Sequence, residues 1–417
     1  MNVTRRDVTI LFITRTTRLF AYGFVSVILA LYLADIGLSG EKIGLLFTLA
    51  LLGDAVISLW ITTRADRLGR RGMLILGAVL MILAGFVFAF TGNFVLMVIA
   101  ATIGVISPSG KEIGPFLSIE QAALSQIAKD EQRTHWFAWY NLAGSFAGAV
   151  GALAAGVIAR LLQDRGFTEV ESYRVLVLGY AVCGAAMAIL FLRLSSHIEA
   201  SRGSLAPRSR TLFGLHRSKS IVMKMSVLFG LDAFAGGFII QSMIAYWFYL
   251  KFGVSAEVLG AIFFATNLVA GVSALFAARI AKRIGLINTM VFTHIPSNIL
   301  LCLVPLMPTL PLAITMLILR FSISQMDVPT RQSYTMAVVS EDERSAASGV
   351  TTIARSVGAS VSPVFTGFFL ASPTLLSLPF LLAGGLKIVY DILVYGSFRG
   401  LKPPEEAKRN EPPSPAV

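Results

Sequence analysis

The sequence predicts an all-α membrane protein whose twelve transmembrane helices form two pseudo-symmetric six-helix bundles. Three observations predict it. The 417 residues are 55% hydrophobic and only 14% charged, far too apolar for a soluble chain. The apolar residues fall in twelve stretches, each near the roughly 20 residues that carry a helix across a bilayer. The second half of the chain repeats polar and glycine positions of the first.

The stretches lie at approximately 8–34, 43–63, 73–92, 94–127, 136–161, 173–193, 221–250, 258–280, 287–308, 311–339, 346–370 and 377–397. The first, from Val8 onward, is too long for a signal peptide and lacks a small-residue cleavage site. An even number of crossings puts both termini on one side, and Lys and Arg mark it as the cytoplasmic side. Arg5 and Arg6 precede the first span, and Arg64, Arg67, Arg70 and Arg71 cluster around the second loop. Arg202, Arg208, Arg210, Arg217 and Lys219 occupy the central loop, and Lys402, Lys408 and Arg409 the tail. The outer loops carry few positive charges, Arg165 and Arg174 being the main exceptions. Membrane orientation thus accounts for the net charge of +12 without nucleic acid. The expected protein is multi-pass, in the cytoplasmic (inner) membrane of the cell, with both termini cytoplasmic.

Residues 1–193 form the expected N-terminal bundle and 221–397 the C-terminal one. Between them, 194–220 is polar and basic with no apolar face to bury, a cytoplasmic linker. The tail 398–417, rich in Pro and Glu, is expected to be disordered. Gly37, Ser39, Glu41 and Gly44 recur 216 positions later as Gly253, Ser255, Glu257 and Gly260. Ala65, Arg67 and Gly69 recur at the same offset as Ala281, Arg283 and Gly285. Gln121, Glu131 and Arg133 return 211 positions later as Gln332, Asp342 and Arg344, so the third and fourth spans differ slightly in length between halves. Asp66 is replaced by Lys282 in the second half. Parallel repeats of this kind place a binding site near mid-membrane, where the halves meet.

The loop between the second and third spans reads Asp66-Arg67-Leu68-Gly69-Arg70-Arg71. A loop needed only for orientation would explain the arginines but not Asp66 or Gly69. The pattern resembles the signature loop of major facilitator superfamily transporters, with Thr62 where the family has a glycine four residues before the acid. The fifth and eleventh spans carry small-residue runs, Gly144, Gly148 and Gly151, then Gly358, Ser362, Pro363 and Gly367. Antiporter branches of the family have a Gly-Pro motif on the fifth helix; here Ala149 stands at the proline's place and Pro363 lies in the other half. Met326-Asp327-Val328-Pro329-Thr330-Arg331-Gln332 and Asp232-Ala233-Phe234-Ala235-Gly236-Gly237 resemble an uncharacterised subgroup.

The resemblance implies a secondary transporter in which the first, fourth, seventh and tenth helices line a central cavity. A charge at the centre of a span costs about 2.5–3.5 kcal/mol on insertion scales, so each needs a partner or water. Of thirteen such charges nine lie on those four helices: Arg15, Arg18, Lys111, Glu112, Glu120, Asp232, Arg320, Asp327 and Arg331. On a continuous tenth helix Arg320, Asp327 and Arg331 fall within roughly 20° of one another, a single polar stripe. Pro108, Gly110, Gly114 and Pro115 break the fourth span around Lys111 and Glu112, which is tolerated only beside a cavity or inside protein. Arg15 is close enough to the cytoplasmic end to snorkel, and Arg18 lies a turn deeper. Asp232 falls between them in depth by the repeat and is expected to pair with one of them.

Asp54 stands in mid-span without a basic residue within a turn, and Arg355 is its candidate partner. Lys387 and Asp391, four apart on the last span, read as a structural pair, and His294 as a satisfied interior group. Cys183 and Cys302 lie in apolar runs, which argues against a disulfide framework or metal site. No phosphate loop, nucleophile elbow, zinc or dinucleotide motif is present, against an ATP-driven pump or a soluble-type enzyme.

The expectation is a proton-coupled secondary active transporter of a small organic solute, working by alternating access, a monomer in the lipid bilayer without cofactor or nucleic-acid partner. Its proton-coupling candidates are Asp54, Glu112, Glu120, Asp232 and Asp327. Substrate-cavity candidates are Arg15, Arg18, Lys111, Gln241, Arg320 and Arg331, a slightly basic set that leans toward anionic or zwitterionic solutes. Gating candidates are Asp66, Arg67, Gly69, Arg70, Arg71 and Arg355. The alternatives are an uncoupled facilitator or, in a different class, a non-transporting receptor or lipid-handling scaffold.

Overall fold

In the computed structural model, residues 3–111, 114–127, 130–199 and 215–401 are described, and their regular structure is helical throughout. The first half holds α1 (Val3–Asp35), α2 (Gly40–Leu68), α3 (Arg70–Phe90), α4 (Phe94–Ile103), α5 (Phe116–Ile127), α6 (Asp130–Asp164) and α7 (Glu169–Leu192). The second holds α8 (Lys219–Gly237), α9 (Gln241–Phe252), α10 (Ala256–Ile284), α11 (Leu286–Leu303), α12 (Leu310–Ser324), α13 (Asp327–Val338), α14 (Arg344–Leu370) and α15 (Leu378–Phe398). Eleven stretches among the described residues are long and apolar enough to cross a bilayer. The remaining crossing, fourth in order, is made by the short apolar α4 together with α5. Twelve crossings result, as the apolar pattern predicts.

Local sequence fixes the helix ends. Ser39 caps α2 by accepting from the Lys42 N–H, and Asn93 caps α4 through the Val95 and Leu96 N–H groups. Thr168 and Glu171 form a reciprocal capping box at the start of α7. Gly69 and Gly285, equivalent in the repeat, take φ of 101° and 90°, a region open to glycine but strained for other residues.

Three crossings are interrupted. Between α4 and α5 the chain passes through Pro108 and Pro115, with Gly110 and Gly114 at positive φ, so no continuous hydrogen-bond ladder can form. The seventh crossing stops after Gly236 and Gly237 and restarts at Gln241. In the tenth, Pro329 has no N–H for the carbonyl of Gln325, and α13 begins afresh at Asp327. The expected continuous polar stripe on the tenth span is therefore divided. Arg320 belongs to α12, and Asp327 and Arg331 to α13.

The helices fall into two compact units, Met1–Ala206 with Gly237–Leu268 and Ala359–Pro379, and Pro207–Gly236 with Val269–Gly358 and Phe380–Val417. In the first unit α1 is the central helix, fully buried from Tyr22 to Leu33 apart from slight exposure at a few positions, and packs on α6 and α7. Backbones approach closely there, since a Cβ on Gly23 would lie 2.0 Å from the Gly148 carbonyl oxygen. The second unit has a core of Met225, Phe229, Met290, Val291, Tyr334, Tyr390, Val394 and Phe398. Exposed apolar side chains such as Val56, Phe90, Val182, Val227 and Leu275 suit a surface solvated by lipid.

The first unit takes in the ends of the seventh, eighth and eleventh crossings that carry the 253–255 and 371–372 loops. These ends close on the first half through glycines. A Cβ on Gly44 would sit 2.5 Å from the Pro363 carbonyl oxygen, and one on Gly367 2.3 Å from that of Gly40. A Cβ on Gly260 would sit 2.7 Å from the Ala152 carbonyl oxygen, and one on Gly156 2.6 Å from that of Ala256. Gly44 and Gly260 are related by the 216 offset, Gly156 and Gly367 by the 211 offset, so the duplication builds the same closure twice.

Candidate functional site

In the first unit the buried charges centre on Glu120 of α5. Arg18 of α1 donates to both its oxygens, at 2.9 and 2.6 Å, and neither side chain is exposed. Thr14 donates at 3.1 Å and the Tyr140 hydroxyl adds a further bond, while the Arg18 guanidinium rests 4.7 Å above the Phe116 ring. Four donors on one carboxylate make this a satisfied buried network. Arg15 is also buried and does not snorkel; it donates to the Tyr140 carbonyl at 3.0 Å and the Asn141 side chain at 3.2 Å, and stacks on the Tyr140 ring.

Gln241, the first residue of α9, donates to Ser26 at 2.8 Å and accepts from Asn267 at 3.3 Å. Beside it the Ser242 N–H donates to the Pro108 carbonyl at 3.0 Å, so the breaks in the fourth and seventh crossings hydrogen-bond each other. Lys111 is exposed at the first of these breaks, and Glu112 lies outside the described residues. Asp54 is half-buried and accepts from the Ser58 hydroxyl at 3.2 Å.

The signature loop is held by an acid that motif reading did not select. Glu199 accepts from the Arg70 N–H at 2.6 Å and the Arg71 N–H at 3.2 Å, at the positive end of α3. The buried Arg70 side chain donates to Gln126 at 2.9 Å and the Ile198 carbonyl at 3.0 Å; Arg71 reaches the Leu192 carbonyl. Arg67 is exposed. Asp66 lies in the last turn of α2, which ends at Leu68, and its side chain lies outside the described set.

In the second unit the centre is Asp232 of α8. Arg331 donates to it at 3.1 Å and to Asp327 at 2.9 Å, and Lys387 of α15 bonds its other oxygen. Asp391 instead accepts from Asn298 at 3.0 Å and pairs with His294 at 2.8 Å. The buried Tyr390 hydroxyl makes no hydrogen bond of ordinary geometry and borders Arg331. Arg320 and Arg355 lie within electrostatic reach of Asp232 and Asp327.

One expected pairing is corrected. Asp232, expected to pair with Arg18 or Arg15, has Arg331 and Lys387 as partners within its own unit, and within theirs Arg18 bonds Glu120 and Arg15 the Tyr140 carbonyl. Lys387 and Asp391, although one turn apart, point to different partners, so the local pair does not form. Within its own unit Arg355 has Arg331, Asp232 and Asp327 among its charged neighbours. The Asp327–Arg331 pair along one helix forms as expected. Tyr140 and Glu199 could have been found only by their carboxylate and amide partners, which are distant in sequence.

The sequence matches the profile of the Major Facilitator Superfamily over residues 11–363 and 227–417, and the chain belongs to that family of membrane transporters. It is 31% identical to an uncharacterized membrane protein of Saccharomyces cerevisiae, across 95% of both chains. Among solved structures it is similar to the nucleoside transporter NupG, with a TM-score of 0.76, 16% identity and coverage of 95% of this chain and 100% of that one. It is likewise similar to a D-xylose-proton symporter, with a TM-score of 0.72, 14% identity and coverage of 93% and 97%. At these identities the two structures support the fold alone.

Proposed function

We propose that the chain is a secondary active transporter that carries a small organic solute across the cytoplasmic membrane by alternating access, coupled to protons. The observation that carries this reading is the glycine closure at Gly44–Gly367 and Gly156–Gly260, which seals the ends of second-half helices against the first half. Backbone contacts between small residues form and release without interlocking side chains, as a gate requires. With the basic loops taken as cytoplasmic, this closure is the outer gate. Buried ion pairs flank breaks in the seventh and tenth crossings, and Arg18–Glu120 adjoins the break in the fourth; such backbone at depth serves a cavity.

For coupling, Asp54 is the favoured carboxylate. Glu120, Asp232 and Asp327 each hold a permanent cation and can take a proton only when that cation leaves, and Asp54 stands half-buried in mid-span on the second crossing, where movement of the helix changes its access to water. A proton affinity that differs between the two gate states would tie proton release to the rocking motion. In vesicles carrying the reconstituted protein, Asp54→Asn should abolish solute movement driven by a pH gradient and leave exchange at equal pH largely intact. Unchanged gradient-driven movement removes Asp54 from coupling; loss of both activities makes it a structural residue.

A further inference from the structure

Around Asp232 the crossings of the second unit carry more positive charge than the neighbouring carboxylates neutralise, with the half-buried Arg355 included. Arg320, Arg331, Arg355 and Lys387 face Asp232, Asp327 and Asp391, four cations against three acids, with His294 as the ring partner of Asp391. Arg331 and Lys387 take up Asp232 and Asp327 directly, and Asp391 is taken up by His294 and Asn298. Arg320 and Arg355 are left without a hydrogen bond or ion pair among the described residues. Arg320 is only 7% exposed, its Nε has no partner, and its guanidinium rests 4.8 Å from the Phe321 ring. A guanidinium kept out of water without a counter-ion is unfavourable unless something else supplies the negative charge.

Position along the helices supports a ligand as that supplier. Arg320 lies four residues before the end of α12, beside the break at Gln325 and Met326. Arg355 lies in the middle of α14, well away from either end where it could snorkel. Both flank the same two acids, Asp232 and Asp327, which are already engaged. Guanidinium groups present planar forks that match the oxygens of carboxylate, phosphate or sulfate two at a time.

We propose that Arg320 and Arg355 bind the anionic group of the transported solute, so that the substrate class is a small organic anion bearing a carboxylate, phosphate or sulfate. This rests on the transport reading above. The Asp232, Asp327, Arg331 and Lys387 pairs form the fixed polar wall of the site, and the anion supplies the counter-charge that Arg320 and Arg355 lack.

Thermal unfolding of the purified full-length protein tests it, with benzoate and phenyl phosphate as probes and benzamide and benzylamine as neutral and cationic counterparts. A ligand that binds only the folded state raises the melting temperature. Either anion should raise it while benzamide and benzylamine do not. Arg320→Gln and Arg355→Gln should each weaken the apparent affinity for that anion at least tenfold, about 1.4 kcal/mol. Arg160→Gln, at an exposed pair, should leave it unchanged. Because each substitution removes an uncompensated charge, the unliganded variants should melt no lower than wild type, which separates lost binding from lost folding. A shift by benzamide equal to that by benzoate, an anion shift retained in both arginine variants, or no shift by either anion overturns the proposal. Adding phosphatidylglycerol to the micelles distinguishes a lipid source: stabilisation by that lipid with none by the soluble anions also overturns it. If one variant does not fold, the other variant and the wild-type comparison of benzoate with benzamide still decide. Flux in vesicles separates the two readings. Anion binding without anion flux leaves the site standing and removes the transport reading; flux of a neutral or cationic solute without anion binding does the reverse.

Discussion

Glu120 accepts from Arg18, Thr14 and Tyr140 with no exposed surface, so removing one charge strands the other. Arg18→Gln should cost about 3–5 kcal/mol, read as a fall in melting temperature, and Glu120→Gln in that background should recover part of it. A double variant as unstable as the sum of the singles would show that the pair is not coupled. Glu343 is a second buried acid, outside the membrane spans. Burial pushes its carboxyl up, but the backbone N–H groups of His216, Arg217 and Ser218 and the Ser218 hydroxyl outweigh this and hold it down, from the ordinary 4.5 to about 2. A carboxyl lowered on folding stabilises the protein above its unfolded value, and that stability is lost as pH falls through the folded one. Wild type should therefore lose stability faster than Glu343→Gln between about 4.5 and about 2; parallel loss would show that the amides do not hold the charge. Which residues are charged was legible in the sequence, and which charges meet was not. The repeat sets the depth of Asp232 but not its azimuth, and Lys387 and Arg331 reach it from helices far along the chain.

At the level of helices, the breaks in the fourth and tenth crossings follow from prolines and glycines visible in the sequence, although only the fourth was expected to break. The seventh has no proline near Gly237, and its interruption depends on Ser242 and Gln241 bonding to Pro108 and Ser26, contacts no local pattern reveals. The closures at Gly44 and Gly260 follow from the repeat once the partner helices are known. Gly44→Ala should press a methyl group onto the Pro363 carbonyl and destabilise the closed gate by about 1–3 kcal/mol. Ala371→Cys in that background should label from the outside faster than in the otherwise wild-type protein. Equal rates would show that the close approach carries no gating energy.

For the whole molecule, the orientation assigned from basic loops predicts which side each loop faces. Gly92 is exposed with open space around a Cβ, and Ser220 is exposed at the start of α8. An impermeant thiol reagent outside intact cells should modify Gly92→Cys but not Ser220→Cys; the reverse pattern would invert the topology. Twelve crossings and the duplication were legible because hydrophobic length and glycine spacing are local properties. The boundary between compact units was not, since 194–220 separates the repeats while packing joins 237–268 and 359–379 to the first half.

The alternating-access account is tested most directly by spin labels across the closure, at Glu41→Cys on α2 and Ala371→Cys after α14. In the structure the Ala371 nitrogen lies 3.4 Å from where a Cβ on Gly40 would be, so the closed gate gives a short distance. Pulsed electron-spin distance measurements in lipid nanodiscs should show this short population together with a longer one whose share changes with pH and with added organic anion. A single short distance under all these conditions would contradict a gate that opens and closes.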